Sequence, residues 1–232
     1  MSIKKANTAI VVGSGGGIGK ALKNELLSGG IFKKVICFSK SNDLLLDITN
    51  KNEIEKTTQE LKTNKVKVNL LINAVGFLHD ESFFPEKKIS DIDPNYLIKS
   101  FKLNTIGHAL IIKYFAPLFD KTEQSFLISL SARVGSITDN YLGGWFGYRA
   151  SKAALNQIVK SASIELNRTK PNMILASIHP GTVYTKLSKP FIKETNCFSA
   201  SESAKKILKT IFRLNNDDSG KFLDYEGKII PF

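Results

Sequence analysis

Residues 11–22 read VVGSGGGIGKAL. The stretch AIVV (9–12) before the glycines is β-branched and apolar, as a buried strand is. After them, Ile18 to Leu27 carries helical spacing. Gly13, Gly17 and Gly19 stand at G-x-x-x-G-x-G between the two. Glycine allows a tight turn, close approach of a pyrophosphate, and close packing of helix on strand. The free N–H groups of the helix start favour an anion there. A glycine-rich turn without a ligand is the plainer reading. Its place between a first strand and a first helix favours a dinucleotide.

Outward from that turn, short β-rich runs alternate with longer helical patterns. VICF (35–38), LLLD (44–47), NLLIN (69–73), SFLISLS (125–131), MILASI (173–178) and KFLD (221–224) read as strands two to seven. Asn50 with Glu53 predicts a capping box and a helix to about Leu61. Asp93-Pro94 opens a helix running through KSFKLNTIGHALIIKYF. A further helix spans about Trp145 to Asn167, and Ser199 with Glu202 caps one reaching about Leu214. Near-continuous apolar strands separated by helices predict a parallel sheet covered on both faces. The right-handed crossover rule then gives an α/β, doubly wound, seven-stranded sheet, whose ligands bind beyond the carboxyl ends of the strands. No repeat, linker or low-complexity tract divides the chain, so residues 1–232 are expected to form a single domain.

The composition, 42% hydrophobic and 23% charged, is that of a globular protein. No apolar run reaches the roughly 20 residues that span a bilayer, and the start lacks a signal-type segment. A cytoplasmic protein with no membrane partner is expected. The net charge of +12 raises nucleic acid as a partner, but the lysines are scattered. The only arginines are Arg133, Arg149, Arg168 and Arg213, so no nucleic-acid role is expected. Cys37 reads as core and Cys197 as loop; neither they nor His79, His108 and His179 have metal-ligand spacing.

GYRASK (147–152) places Tyr148 four residues before Lys152, on one helix face. A neighbouring ammonium favours phenolate and lowers a tyrosine pKa from about 10. The pair would then exchange protons near neutral pH. A buried tyrosine beside a solvated lysine stem is the alternative.

GSGGGIG resembles the T-G-x-x-x-G-x-G turn of the short-chain dehydrogenases/reductases, with Val12 in place of the threonine. Further likenesses follow in order. Asn73-Ala74-Val75-Gly76 is similar to the family's N-A-x-G, and Asn104 in KLNTIGH to its catalytic asparagine. Tyr148 and Lys152 match Y-x-x-x-K, and HPGTVYT (179–185) resembles the stretch that cradles nicotinamide. The resemblance spans about residues 8–225. LSARVGS, GGWFGYRASKAALN and YEGKIIPF are similar to the C-factor-type, carbonyl-reductase-like branch.

The resemblance implies a Rossmann-type domain and hydride transfer between a nicotinamide and a carbonyl or alcohol carbon. It assigns proton transfer to Tyr148, ribose contact to Lys152 and a proton-relay water to Asn104. Register on Gly135 places Ala132 where the family has its serine. Ser131 is the residue assigned, with Ser129 and Ser136 as further candidates. Cofactor contacts are implied for Gly13, Ser14, Gly15, Gly17, Ile18, Gly19, Asn73, Ala74, Gly76, Pro180, Gly181, Val183 and Thr185. Ser39 stands where NAD-dependent members carry an acid, and Lys40 follows. NADP(H) is therefore favoured, NAD(H) remaining possible, with Asp47 against adenine. Phe77, Leu78, Phe83, Phe84, Tyr141, Trp145, Phe146, Leu187 and Phe191 suggest a lipophilic small-molecule carbonyl or alcohol. Arg133 is the candidate for an acidic substrate group. Residues 182–200 would form the substrate loop, a mobile lid from 186. A homodimer or homotetramer through helices 94–116 and 145–167 is implied. The alternatives are a regulatory or signalling member with little turnover and an S-adenosylmethionine methyltransferase. The latter does not account for Tyr148, Lys152 and HPGTVYT together.

Overall fold

Apolar strands that must be covered on both sides assemble here into one parallel sheet. The computed structural model describes residues 6–41 and 43–232. Its strands are β1 (Ala6–Val12), β2 (Phe32–Ser39), β3 (Leu44–Leu45), β4 (Leu70–Asn73), β5 (Ser125–Leu130), β6 (Met173–His179) and β7 (Phe222–Asp224). They lie in the order β3-β2-β1-β4-β5-β6-β7. Every pairing is parallel. This is the expected seven-stranded sheet.

Alternation along the strands splits the core in two. Ile10 and Val12 join Ile54, Ile111, Phe115, Leu155 and Val159 on one face. Ala9 and Val11 join Leu22, Leu26, Ala204, Ile207 and Ile211 on the other. The first face is covered by α2 (Lys51–Thr63), α4 (Gly107–Phe115) and α5 (Phe146–Thr169). The second is covered by α1 (Gly17–Gly29) and α6 (Ala200–Ile211).

The expected caps form, except that the Asn50–Glu53 pair is not a reciprocal box: the Glu53 carboxylate accepts from the Asn50 side-chain amide and the Asp47 N–H, and the Asn50 N–H goes to the Asp47 carbonyl. The Asn50 side chain accepts from the N–H groups of Asn52 and Glu53, and Asp93 accepts from that of Asn95. Ser199 and Glu202 make a reciprocal box.

Several boundaries differ from expectation: β1 and β2 each begin three residues earlier, at Ala6 and Phe32, and three further differences bear on the architecture. The third strand pairs only two residues, Leu44 and Leu45, because it is the sheet edge and both side chains face solvent. The last helix stops at Ile211, where Arg213 and Leu214 turn back onto the carbonyls of Thr210 and Ile211. The helix from Pro94 is not uniform. It runs as α3 (Pro94–Phe101), a wider π-turn at Lys102–Ile106, and then α4. Single π-turns inside helices are costly and tend to sit at functional sites. This one carries Asn104.

Candidate active site

The glycine turn is built to exclude side chains. Gly13 has a left-handed φ of 85°, and a β-carbon there would lie 2.9 Å from Val75. One on Gly19 would lie 2.1 Å from the Gly13 carbonyl oxygen. Both positions therefore require glycine. Gly13, Gly15 and Gly16 border a cavity of about 370 Å³ with Ser39, Lys40, Ala74 and Gly76. Gly17, Gly76 and Thr185 border a second, of about 740 Å³. The two share Gly16 and Gly76, at the carboxyl edge of the sheet.

Several expected cofactor residues also hold the walls together. The Ser14 hydroxyl is buried and donates to the Phe38 carbonyl and to Asp43. Asp43 also pairs with Lys23, and these two bonds hold its carboxyl below the usual carboxylate range. Ser39 ends β2 as expected, and its hydroxyl accepts from the N–H groups of Ser41 and Asp43. Asn73 is fully buried and turns the chain by accepting from the Val75 N–H. Lys40 and Asp47 are paired to one another at 2.7 Å. Thr49 donates twice to the same carboxylate, which is held low despite partial burial.

A third cavity, of about 360 Å³, lies beyond the ends of β5 and β6. Ser131, Tyr148, Ile18, Pro180, Gly181, Val183 and Thr185 border it. Leu78, Trp145, Leu187 and Phe191 make its apolar wall. The other expected aromatics lie elsewhere. Phe77 and Phe83 pack on Tyr96, Phe84 borders the neighbouring cavity with His79, and Tyr141 is exposed. Phe146 opens α5 without facing this cavity.

Ser131 is 4% exposed, and its hydroxyl has no partner. Of the three candidate serines, only Ser131 combines a free hydroxyl with a place on this cavity. Ser129 is buried inside the sheet, and Ser136 is occupied by the Asp139 N–H.

Lys152 is buried, donates to the Leu130 carbonyl at 2.9 Å, and lies 6.0 Å from the centre of the Tyr148 ring. Burial lowers its pKa to about 7. Burial also raises the Tyr148 phenol above the ordinary tyrosine range, with a smaller push from Tyr96. The expected depression of the phenol by Lys152 is therefore not found. Desolvation decides the direction, and the Lys152 ammonium does not offset it, being turned to the Leu130 carbonyl.

Asn104 ties the loop after β4 to α5. Its side chain accepts from the Phe77 N–H and donates to the Phe77 carbonyl, both at 2.8 Å. It also donates to Ser151. The π-turn thus pins the loop after β4. A β-carbon on Gly76 would lie 3.9 Å from Lys152 Nζ and 4.0 Å from Asn104 Oδ1, so the three converge.

Burial keeps His108 near pKa 3 and His179 near 4, so both are neutral at ordinary pH. His108 meets the Val75 carbonyl, and His179 borders the cavity beyond β5 and β6. Among the described residues no group of three or more His, Cys, Asp or Glu could hold a metal ion.

Sequence reasoning missed Glu86. It is 3% exposed, and both carboxylate oxygens face the Gly147 N–H, at 3.2 and 3.1 Å. Its backbone carbonyl accepts from the Trp145 N–H at 2.5 Å. Trp145 has a left-handed φ of 53°, rare for a bulky residue. Its ring meets those of Tyr148 and Phe191 edge-on. Glu86 clamps the start of α5 across about sixty residues of sequence, so no local pattern could have announced it.

The segment after β6 is tied at both ends. Val183 pairs with Phe198, and the N–H groups of Tyr184 and Phe198 reach across to Phe198 and Thr182.

A glycine cradle, two cavities that share Gly16 and Gly76, and a buried Ser-Tyr-Lys group thus meet at the carboxyl edge of the sheet. The chain belongs to the short-chain dehydrogenase family, whose profile matches residues 7–196. It is 25% identical to 1-hydroxy-2-glutathionyl-2-methyl-3-butene dehydrogenase of Rhodococcus sp. (strain AD45), over 97% of this chain and 100% of that one. It is 30% identical to the C-signal protein of Myxococcus xanthus, over 62% of this chain and 83% of that one. Among solved structures, carbonyl reductase Sniffer of D. melanogaster matches with a TM-score of 0.85 at 22% identity, covering 98% of this chain and 100% of that one. NADPH-bound carbonyl reductase from chicken fatty liver matches with a TM-score of 0.85 at 23% identity, covering 98% and 95%. These two share the fold. No helix among the described residues is long and apolar enough to cross a membrane.

Proposed function

We propose that this protein is an NADP(H)-dependent reductase of lipophilic carbonyl compounds, or dehydrogenase of the matching alcohols. The observation that carries the reading is the buried cluster of Tyr148, Lys152 and the unpartnered Ser131 hydroxyl beside an apolar cavity. The glycine cradle, which a β-carbon would fill, fits a pyrophosphate. Lys40, at the mouth of the adenosine-side cavity, suits a 2′-phosphate, and Ser39 offers no competing carboxylate. The chicken protein with the same fold is described as NADPH-bound. Bound here, NADP(H) would supply or accept the hydride.

The residues do the rest. The Ser131 hydroxyl, free of other partners, donates to the substrate oxygen. Tyr148 is held protonated by burial and so gives its proton to that oxygen as negative charge develops. Lys152 steadies the ribose and supplies positive charge when protonated. Asn104 fixes the loop on which Gly76 sits, close to Lys152, and a water between them would return the proton. Residues 182–200 close the substrate side. The chain works as one dinucleotide-binding domain in the cytoplasm, and as a homodimer or homotetramer through α3–α4 and α5.

The test is titration with NADPH and NADH, then carbonyl-dependent NADPH oxidation beside Tyr148→Phe. Tight NADPH binding with turnover lost by about 10²- to 10⁴-fold in the variant supports the reading. Turnover retained in Tyr148→Phe refutes it. The likeness to the C-signal protein favours a second reading, a dinucleotide-binding signalling protein. NADPH binding without turnover across a broad carbonyl panel would support that instead.

A further inference from the structure

The apolar catalytic cavity does not end at Arg133. A second, polar chamber of about 420 Å³ adjoins it, and the two share Arg133, His179, Gly181 and Thr182 as a common wall. The far side of the chamber is Phe198, Tyr225 and Asp224.

Its lining holds one positive and one negative side chain, Arg133 and Asp224; Asp139 borders the catalytic cavity instead, and Lys206 stands over the Phe198 and Tyr225 rings at 5.1 and 5.2 Å. The Arg133 side chain is half exposed, and one guanidinium nitrogen pairs with Asp139 at 2.9 Å. The other lies 3.9 Å from Asp224 Oδ2, beyond hydrogen-bond reach, and keeps donors to spare. Asp224 is nearly buried; its Oδ1 accepts from the N–H groups of Glu226 and Lys228, which leaves Oδ2 to the chamber. His179, on the shared wall, is neutral and adds no charge.

A guanidinium set between two carboxylates is a poor host for a simple anion, which Asp224 would repel. It is also a poor host for a plain hydrocarbon, which would desolvate Arg133 and Asp224. It matches a ligand that carries both signs close together. A carboxylate would sit on the free edge of Arg133, and an ammonium would sit on Asp224 Oδ2.

Resting on the proposed reductase reading, we propose that the substrate is bipartite. An apolar head bears the reacting carbonyl or alcohol and lies beside Ser131 and Tyr148. A zwitterionic tail of amino-acid type reaches past Arg133 into the polar chamber.

The experiment uses three thioethers of one six-carbon secondary alcohol, oxidised with NADP⁺ to the ketone, NADPH and a proton. The thiols are cysteine (zwitterionic tail), N-acetylcysteine (anionic) and N-acetylcysteamine (neutral). The expected result is a kcat/KM for the cysteine thioether about tenfold or more above both others, the scale of one charge-assisted hydrogen bond. In Arg133→Gln the ratio of zwitterionic to neutral substrate should fall to within about twofold, and Arg133→Lys should restore part of it.

Quenching of Trp145, the only tryptophan in the chain, gives a binding readout independent of turnover. Three alcohols oxidised alike, or bound alike in the presence of NADP⁺, would overturn the bipartite substrate and leave the reductase reading standing. Selective binding of the cysteine thioether without any oxidation would support the chamber and sink the reductase. A ratio unchanged in Arg133→Gln would place the tail elsewhere and overturn the assignment.

Discussion

Glu86→Ala should loosen the start of α5, and with it both Trp145 and Tyr148. In the structure the carboxylate caps the Gly147 N–H with two oxygens, at 3.2 and 3.1 Å, while buried to 3% exposure. Losing a helix cap costs about 1 kcal/mol, within a range of roughly 0.5–2. The one buried methylene that is lost adds about 0.8 kcal/mol. The sum is about 2 kcal/mol, or roughly 4–8 °C in Tm for a chain of this size. Glu86→Gln keeps the stem and one acceptor oxygen and loses the charge at the helix start. It should cost only about 1 kcal/mol.

The assay is thermal unfolding by circular dichroism, with Trp145 emission excited at 295 nm and steady-state kinetics alongside. Glu86→Ala should shift the Trp145 emission at temperatures well below unfolding. It should also lower kcat more than it raises KM, because Tyr148 lies next to Gly147 in the clamped turn. A Tm within about 1 °C of the parent together with unchanged emission would refute the clamp. A Gln variant as damaged as the Ala variant would show that charge, not the acceptor geometry, is what α5 needs.

Ser131→Ala removes a buried hydroxyl that has no partner, so the fold should lose nothing and Tm should hold or rise slightly. Turnover should fall by about 10²-fold or more, the usual cost of one donor to a developing oxyanion; a variant that is fully active would move the catalytic hydroxyl elsewhere. Lys40→Ala should weaken NADPH by about tenfold and leave NADH nearly unaffected, read by fluorescence titration. Equal losses for both nucleotides would remove the 2′-phosphate from Lys40. His108 and His179 are held near pKa 3 and 4 against an ordinary 6.5. The unfolded chain therefore binds protons that the native one refuses, and stability should rise with pH from about 3 to 6.5. His108→Gln should flatten that slope; an unchanged slope would mean that other groups set it.

The sheet was legible because a buried parallel strand writes itself as an unbroken apolar run, as in NLLIN and MILASI. The glycine turn was legible for a similar reason, since Gly13 and Gly19 admit no side chain. What escaped depends on contacts between distant parts. Glu86 meets Gly147 only after β4, β5 and α5 are assembled. The π-turn at Asn104 inserts no tell-tale residue into KLNTIGH. The Tyr148 pKa went the wrong way because spacing gives proximity, whereas burial of both groups decides the balance. The serine assignment needed the structure as well, since three serines flank the end of β5 and only the cavity selects among them.

The order of strands also bears on how the protein comes into being. β1 lies inside the sheet; the chain first grows outward to β3, then returns beside β1 and grows the other way to β7. A chain leaving the ribosome therefore has the glycine turn and the partners of β1 in hand within its first third. Asp224 and the Phe198–Tyr225 wall arrive only with the last strand. A nascent chain would complete the glycine cradle that suits a pyrophosphate long before Lys152 and residues 180–185 arrive for the nicotinamide end, so the early part of the sheet has a ligand contact available while the rest is still being made.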